Sequence, residues 1–256
     1  MKEPMVSPQQ KQYKILLIGD SCYDDYHYGS INRISPEAPV PVLDMDRVVT
    51  KEGMAFNVFK NILALGAEAD IMTEFSERKH RYLDSKTGQQ LLRVDEKIDK
   101  KLVDTAEEED LNEYDVVIVS DYNKGFFNED DILEIISKYR GPIFVDTKKR
   151  DLSIFDGCFV KINQYEYEAS DRLTEELIVT YGSKKVEYKN KTYTPPKVEA
   201  FDVCGAGDTF LAALAYKYCE EYNMDEAIKF AMIAASLTVQ HIGVYAPTLE
   251  EIQNAA

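Results

Sequence analysis

Short apolar runs alternate with amphipathic stretches along this chain. KILLIGD (14–20), DVVIVSDY (115–122), PIFVDTK (142–148), CFVKIN (158–163) and ELIVTYG (176–182) each read as a buried strand ending in polar residues. AFNVFKNILALGA (55–67) has helical spacing, with Gly66 placed to end it. EDDILEIISKYRG (129–141) carries acids in its first turn and bases in its last, as the helix dipole favours. Two further helices are predicted over 205–222 and 225–240. Strands alternating with helices predict an α/β fold with a doubly wound, mostly parallel sheet and helices on both faces. Such sheets bind ligands beyond the C-terminal ends of their strands. The polar residues there, Asp20, Asp121, Asp146 with Lys148, and Asn163, would gather along one edge.

Two segments break this rhythm. Residues 26–53 carry three prolines among alternating β-formers, and 80–97 reads as a hairpin turning at SKTG. Together they predict a small separate sheet beside the main layer. No internal repeat or low-complexity tract is present.

Composition narrows the partners. The 256 residues include 46 acids against 30 bases, a net charge of −16, which repels nucleic acid and anionic membranes. A small anionic substrate stays compatible, because local bases and backbone amides can overrule the global field. The cysteines, Cys22, Cys158, Cys204 and Cys219, have neither zinc nor redox spacing and read as reduced thiols. The polar opening MKEPMVSPQQKQYK lacks the apolar stretch of a signal peptide, and no apolar run reaches membrane-spanning length. A cytoplasmic protein is expected.

The chemistry concentrates in DVCGAGDTFLAALAYKY (202–218), where two glycines and an acid open an apolar helix. Gly205, Ala206 and Gly207 leave backbone amides open to an anion at a helix N-terminus. Asp208 stands beside them and could take the proton of a sugar hydroxyl. The same pattern also serves as an ordinary helix cap. There is no GxxxxGK[ST] and no GxGxxG.

DVCGAGDTF is similar to the DTxGAGD signature of the ribokinase-like (PfkB) carbohydrate kinases. NQYE (163–166) resembles their NxxE motif. GDSCYDDYHYGSINRISPEAPVPVL (19–43) resembles the opening of the heptose-7-phosphate kinases within that family, and RISPEAPVPV (33–42) matches without a gap. SDYNKG (120–125) and VDTKKRD (145–151) resemble further segments, so the likeness runs from about residue 14 to 252.

The resemblance implies a ribokinase-like fold with a β-sheet lid, built as a single domain over 1–256, and transfer of the γ-phosphate of ATP, with Mg2+, to the anomeric hydroxyl of a heptose 7-phosphate. It makes Asp208 the catalytic base and Gly205, Ala206 and Gly207 the anion hole. It gives Glu166 an indirect role with Mg2+, shared less directly with Asn163. Asp20, Asp24, Gly53 and Asn57 would surround the sugar. Lys124 would serve the sugar phosphate and Lys148 the nucleotide phosphates. Residues 26–53 and 80–97 would form the lid, which excludes water and pairs two subunits into a homodimer.

Three departures from the family pattern matter. Met54 replaces the second of two glycines, and Asp25 replaces an arginine close to the expected sugar phosphate. The chain is also shortened, with an element or two expected missing after 69–74 and within 163–182. A kinase for another sugar or sugar phosphate, or a degenerate protein that only binds sugar or nucleotide, therefore remain alternatives.

Overall fold

The computed structural model describes residues 12–105 and 110–256, so most of the polar opening lies outside the described residues. The predicted strands become β1 (Lys14–Ile34), β5 (Val116–Asp121), β6 (Ile143–Thr147), β7 (Phe159–Asn163) and β8 (Leu177–Thr180). Two more strands of the lid pair with the outer part of β1: β2 (Pro41–Met54) and β3 (Glu68–Asp84). A third, β4 (Gln90–Asp104), lines β3, and the short β9 (Val186–Tyr188) and β10 (Lys191–Tyr193) close the far edge. All ten belong to one sheet, ordered β10-β9-β8-β7-β6-β5-β1-β3-β4, with β2 added to β1. β3, β1, β5, β6, β7 and β8 run parallel, while β2, β4, β9 and β10 are antiparallel to their neighbours.

The lid is thus not a separate sheet. β1 and β3 stay paired from Lys14 with Glu68 to Gly29 with Asp84, through one irregularity at Ser21 and Cys22. Continuous alternation lets the same two strands cross from core to lid without surrendering their ladder. On the opposite side of β1 the partner changes. β5 pairs with Ile15 to Gly19, and β2 takes over from Ser21 onward. This fork lies where the chain order of the sheet reverses, the place at which doubly wound sheets bind ligands.

The helices flank the sheet unevenly. α1 (Ala55–Ala64), α4 (Ala206–Glu221), α5 (Met224–Thr238) and α6 (Leu249–Ala255) cover one face. α4 is apolar all round because it is enclosed, with Phe210 to Tyr216 buried without interruption between the sheet, α1 and α5. The second face carries α2 (Glu129–Lys138), whose Ile132 joins the core cluster that holds Val117, Val119 and Val145. The capping box of Asn128 and Asp131 starts that helix. Cover is thinner beyond it: Ile18, Met72, Phe126, Phe127 and Ile135 line a cavity of about 690 Å³. β3 runs directly from core into lid with no helix between, and only the six-residue α3 (Gln164–Ala169) follows β7.

No described helix is long and apolar enough to cross a membrane.

Candidate active site

Gly205 ends a turn in the left-handed region, φ +80°, and α4 begins at Ala206. A side chain at Gly205 would meet Asn57 Nδ2 at 2.9 Å and Val244 Cγ1 at 3.1 Å, so both conformation and space select glycine. The first amides of α4 lack partners four residues back, and the dipole adds positive potential there. Ala206 N–H makes a long bond, 3.4 Å, to the Val203 carbonyl that closes the turn.

Asp208 follows in the first turn and is buried. Its Oδ2 accepts from Asn57 Nδ2 and its Oδ1 from the Tyr122 hydroxyl, both at 2.8 Å. Burial pushes its pKa above the ordinary carboxylate range, although Asn57 and Tyr122 oppose the shift by favouring the ionised form. Asn57, expected at the sugar, holds the acid through this bond. Tyr122 donates to the acid from the other side.

Lys161 is a residue the sequence reading passed over. It sits in the middle of β7 and is almost fully buried, with Nζ 2.6 Å from Asp146 Oδ2. The same Nζ lies 3.0 Å from where a Cβ on Gly207 would stand. A cation thus faces the glycine turn from the strand side. The available signal was a lysine inside the apolar run CFVKIN, where a buried strand has no use for charge unless it is paired.

Lys148 pairs with Glu166 and stands 3.9 Å from Asp146. Burial alone would lower its pKa, yet Asp146 and Glu166 hold it above the ordinary lysine value. Glu166 and Asn163 form the capping box of α3, Asn163 N–H donating to Glu166 Oε2 and Glu166 N–H to Asn163 Oδ1. Magnesium takes oxygen ligands and gives up its water reluctantly. Lys148 and the cap already occupy Glu166, and Lys161 holds Asp146, so these two carboxylates would hold such an ion through its water.

On the lid side, Asp24 Oδ1 accepts from Arg81 Nε at 2.8 Å. A Cβ on Gly53 would come within 2.5 Å of Asp24 Oδ2, so the glycine makes room for the acid. Met54, next along, is buried with φ +61° at the start of α1. Asp20 is buried, and burial raises its pKa; its oxygens accept from Lys124 N–H and Phe126 N–H at 3.3 Å. It thereby ties down the loop after β5. Lys124 reaches Glu77 Oε2 at 2.9 Å. Asp25 turns away from this group: it pairs with Arg78 at 2.7 Å on the opposite face of the lid strand. The structure thus brings Asn57, Asp208 and the 205–207 turn together with Tyr122 and Lys161. Asp24, Gly53 and Asp20 stand at the fork, and Lys148, Asn163 and Glu166 lie beside Asp146.

This fold and this arrangement define a ribokinase-like α/β protein. The ribokinase of Thermotoga maritima superposes with a TM-score of 0.68 at 19% identity, covering 95% of this chain and 99% of that one. Phosphofructokinase-2 of Escherichia coli gives 0.70 at 16% identity, covering 95% and 98%. Residues 161–252 match the pfkB family carbohydrate kinases. The chain is 32% identical to the bifunctional protein HldE of a Nitratiruptor species, over 94% of its own length and 64% of that protein. The value is also 32% for the bifunctional protein HldE of Hydrogenovibrio crunogenus, over 95% and 63%. The likeness to the PfkB carbohydrate kinases falls on residues 161–252, within a fold that is ribokinase-like throughout. It spans less than two thirds of the length of these relatives. The first alignment runs over 298 positions against the chain's 256 residues, so that relative carries segments this chain lacks.

Proposed function

We propose that this chain is an ATP-dependent kinase, a single domain, that phosphorylates the anomeric hydroxyl of a heptose 7-phosphate. The observation that carries the reading is the buried Asp208 in the first turn of α4, beside the glycine turn 205–207 that Lys161 faces. Ionised Asp208 takes the hydroxyl proton while the amides and Lys161 face the charge of the transferring phosphoryl group. Asp24, oriented by Arg81, accepts from sugar hydroxyls, and Asp20 and Asn57 hold the loop and the base around them.

The heptose phosphate is favoured by the ungapped RISPEAPVPV run and by the charge on the inner lid face. Arg81 and Lys79 point to that face from β3, and Lys124 approaches from the loop after β5. Asp25, whose negative charge argued against a phosphorylated sugar, stands on the other face, neutralised by Arg78. Lys148 serves the nucleotide phosphates, with Asn163 shaping the start of α3. Mg2+ at Asp146 and Glu166, when bound, would neutralise phosphate charge.

Apolar residues exposed along the lid strands, among them Ile34, Val48, Leu92 and Val94, support pairing of two lids into a homodimer. A supply of ATP fits a cytoplasmic setting.

A coupled assay of ADP release with Mg-ATP, run across sugars and sugar phosphates, tests the reading. Clear preference for a heptose 7-phosphate supports it. Preference for another sugar replaces the substrate, and no turnover with any sugar removes the kinase.

A further inference from the structure

The outer face of the lid carries a second cluster that phosphoryl transfer does not use. Asp25 and His80 face each other in the parallel ladder of β1 and β3, and His27 follows two residues on, on the same face. One ligand atom from each lies within 4.8 Å of the others. His80 Nδ1 is 2.9 Å from His27 Nε2 and 3.5 Å from Asp25 Oδ2. Behind it, His80 Nε2 is 2.9 Å from Glu96 Oε2 on β4. A carboxylate can only accept, so His80 Nε2 carries a hydrogen, and in the neutral ring Nδ1 presents a lone pair to the other two groups.

We propose that Asp25, His27 and His80 bind a zinc-type divalent ion that clamps β1 to β3. The donor set is two imidazoles and a carboxylate, the borderline ligands that zinc takes, with a fourth position left to water. Ligands ~2.0–2.2 Å from a tetrahedral metal stand ~3.3–3.6 Å apart. Of the two separations at His80, 3.5 Å falls in that range and 2.9 Å is about 0.4 Å short of it, while the third pair stands within 4.8 Å, so the side chains spread slightly to admit the ion. Glu96 occupies the place of the carboxylate that commonly backs a metal-bound histidine and selects its tautomer. His27 is stacked on Tyr82 with ring centres 4.7 Å apart, which restrains its orientation. Two of the chain's three histidines thus converge on one acid.

Arg78 competes for this place. Its Nη1 lies 2.7 Å from Asp25 Oδ2, while Thr50 Oγ1 holds Oδ1 at 2.6 Å. Metal binding exchanges Arg78 for the ion at Oδ2, and the displaced guanidinium, already stacked on Tyr23, turns to solvent. The exchange weakens binding and marks this geometry with an unusual signature. Removing a cation outside the ligand set should strengthen the site.

The test uses the full chain, stripped with chelator and titrated with Zn2+ by calorimetry and with Co2+ by visible absorption. The expected result is one equivalent of Zn2+, a tetrahedral cobalt spectrum and a rise in Tm with Zn2+. His27→Gln and His80→Gln should each weaken binding more than tenfold, and Glu96→Gln about tenfold. Arg78→Gln should tighten it. Circular dichroism checks that each variant folds, and Arg78→Gln keeps all three ligands should a histidine variant fail. Absence of stoichiometric binding by both the wild-type chain and Arg78→Gln overturns the proposal, as does undiminished binding in a folded His27→Gln/His80→Gln double variant. None of these readouts depends on kinase turnover.

Discussion

Lys161 Nζ lies 3.0 Å from where a Cβ on Gly207 would stand, although one residue belongs to a buried strand and the other to the first turn of a helix. The ammonium is held there by Asp146 at 2.6 Å. A charge so placed faces the glycine turn from within the protein and is little screened by water.

Lys161→Met should therefore lower turnover by ~10²–10³, the usual effect of removing one preorganised electrostatic group. The substitution leaves Asp146 buried and unpaired, so the double variant Lys161→Met/Asp146→Asn is the companion that separates stability from rate. Unchanged kcat in a folded double variant would remove Lys161 from the reaction.

Asp208→Asn should reduce kcat by ~10²–10⁴ while ATP still binds. Its stability effect has the opposite sign. Burial raises the folded-state pKa of Asp208 above the unfolded value, so a folding cost appears as pH rises through that raised pKa. Asparagine avoids the cost, and its Tm at neutral pH should match or exceed wild type, with the gap closing in acid. Thermal melts across pH check this.

Tyr122→Phe removes a hydrogen bond that favours ionised Asp208. The acid limb of kcat/KM should then move upward by about one pH unit, equivalent to ~1.4 kcal/mol. An acid limb that stays in place would mean that Asp208 is not the titrating base.

Gly53→Ala would drive a methyl group into Asp24 Oδ2 and disturb its pairing with Arg81. The KM for sugar should rise about tenfold, the weight of one lost polar contact, with kcat little altered. A fall in kcat at constant KM would place Asp24 in the chemical step instead.

Burial pushes the Cys22 and Cys158 thiols up to about 12. Thiolate is the reactive form, so a thiol reagent at mildly alkaline pH should label these two only slowly in the native chain and promptly after denaturation. Rapid native labelling of Cys22 would contradict its enclosure beneath the lid.

The strands, the long helices and the position of Asp208 were legible from residue order alone, since apolar periodicity and glycine conformational limits act within a few residues. Gly205 illustrates this: its left-handed backbone follows from the local turn that opens α4. The course of the lid was not legible in the same way. Its strands resemble an independent sheet in sequence, and only the partner change of β1 from β5 to β2 shows that they extend the central one.

Residue types and spacing by themselves settled which segments are buried and which turn offers bare amides, because both depend on local sterics and water avoidance. Tertiary structure alone decided that Asn57 and Tyr122 enclose Asp208, that Lys161 points at Gly207, and that Asp25 pairs with Arg78. Those outcomes join groups from 46 to 151 positions apart, where charge pairing and packing in a shared interior choose the neighbours and no nearby sequence pattern records the choice.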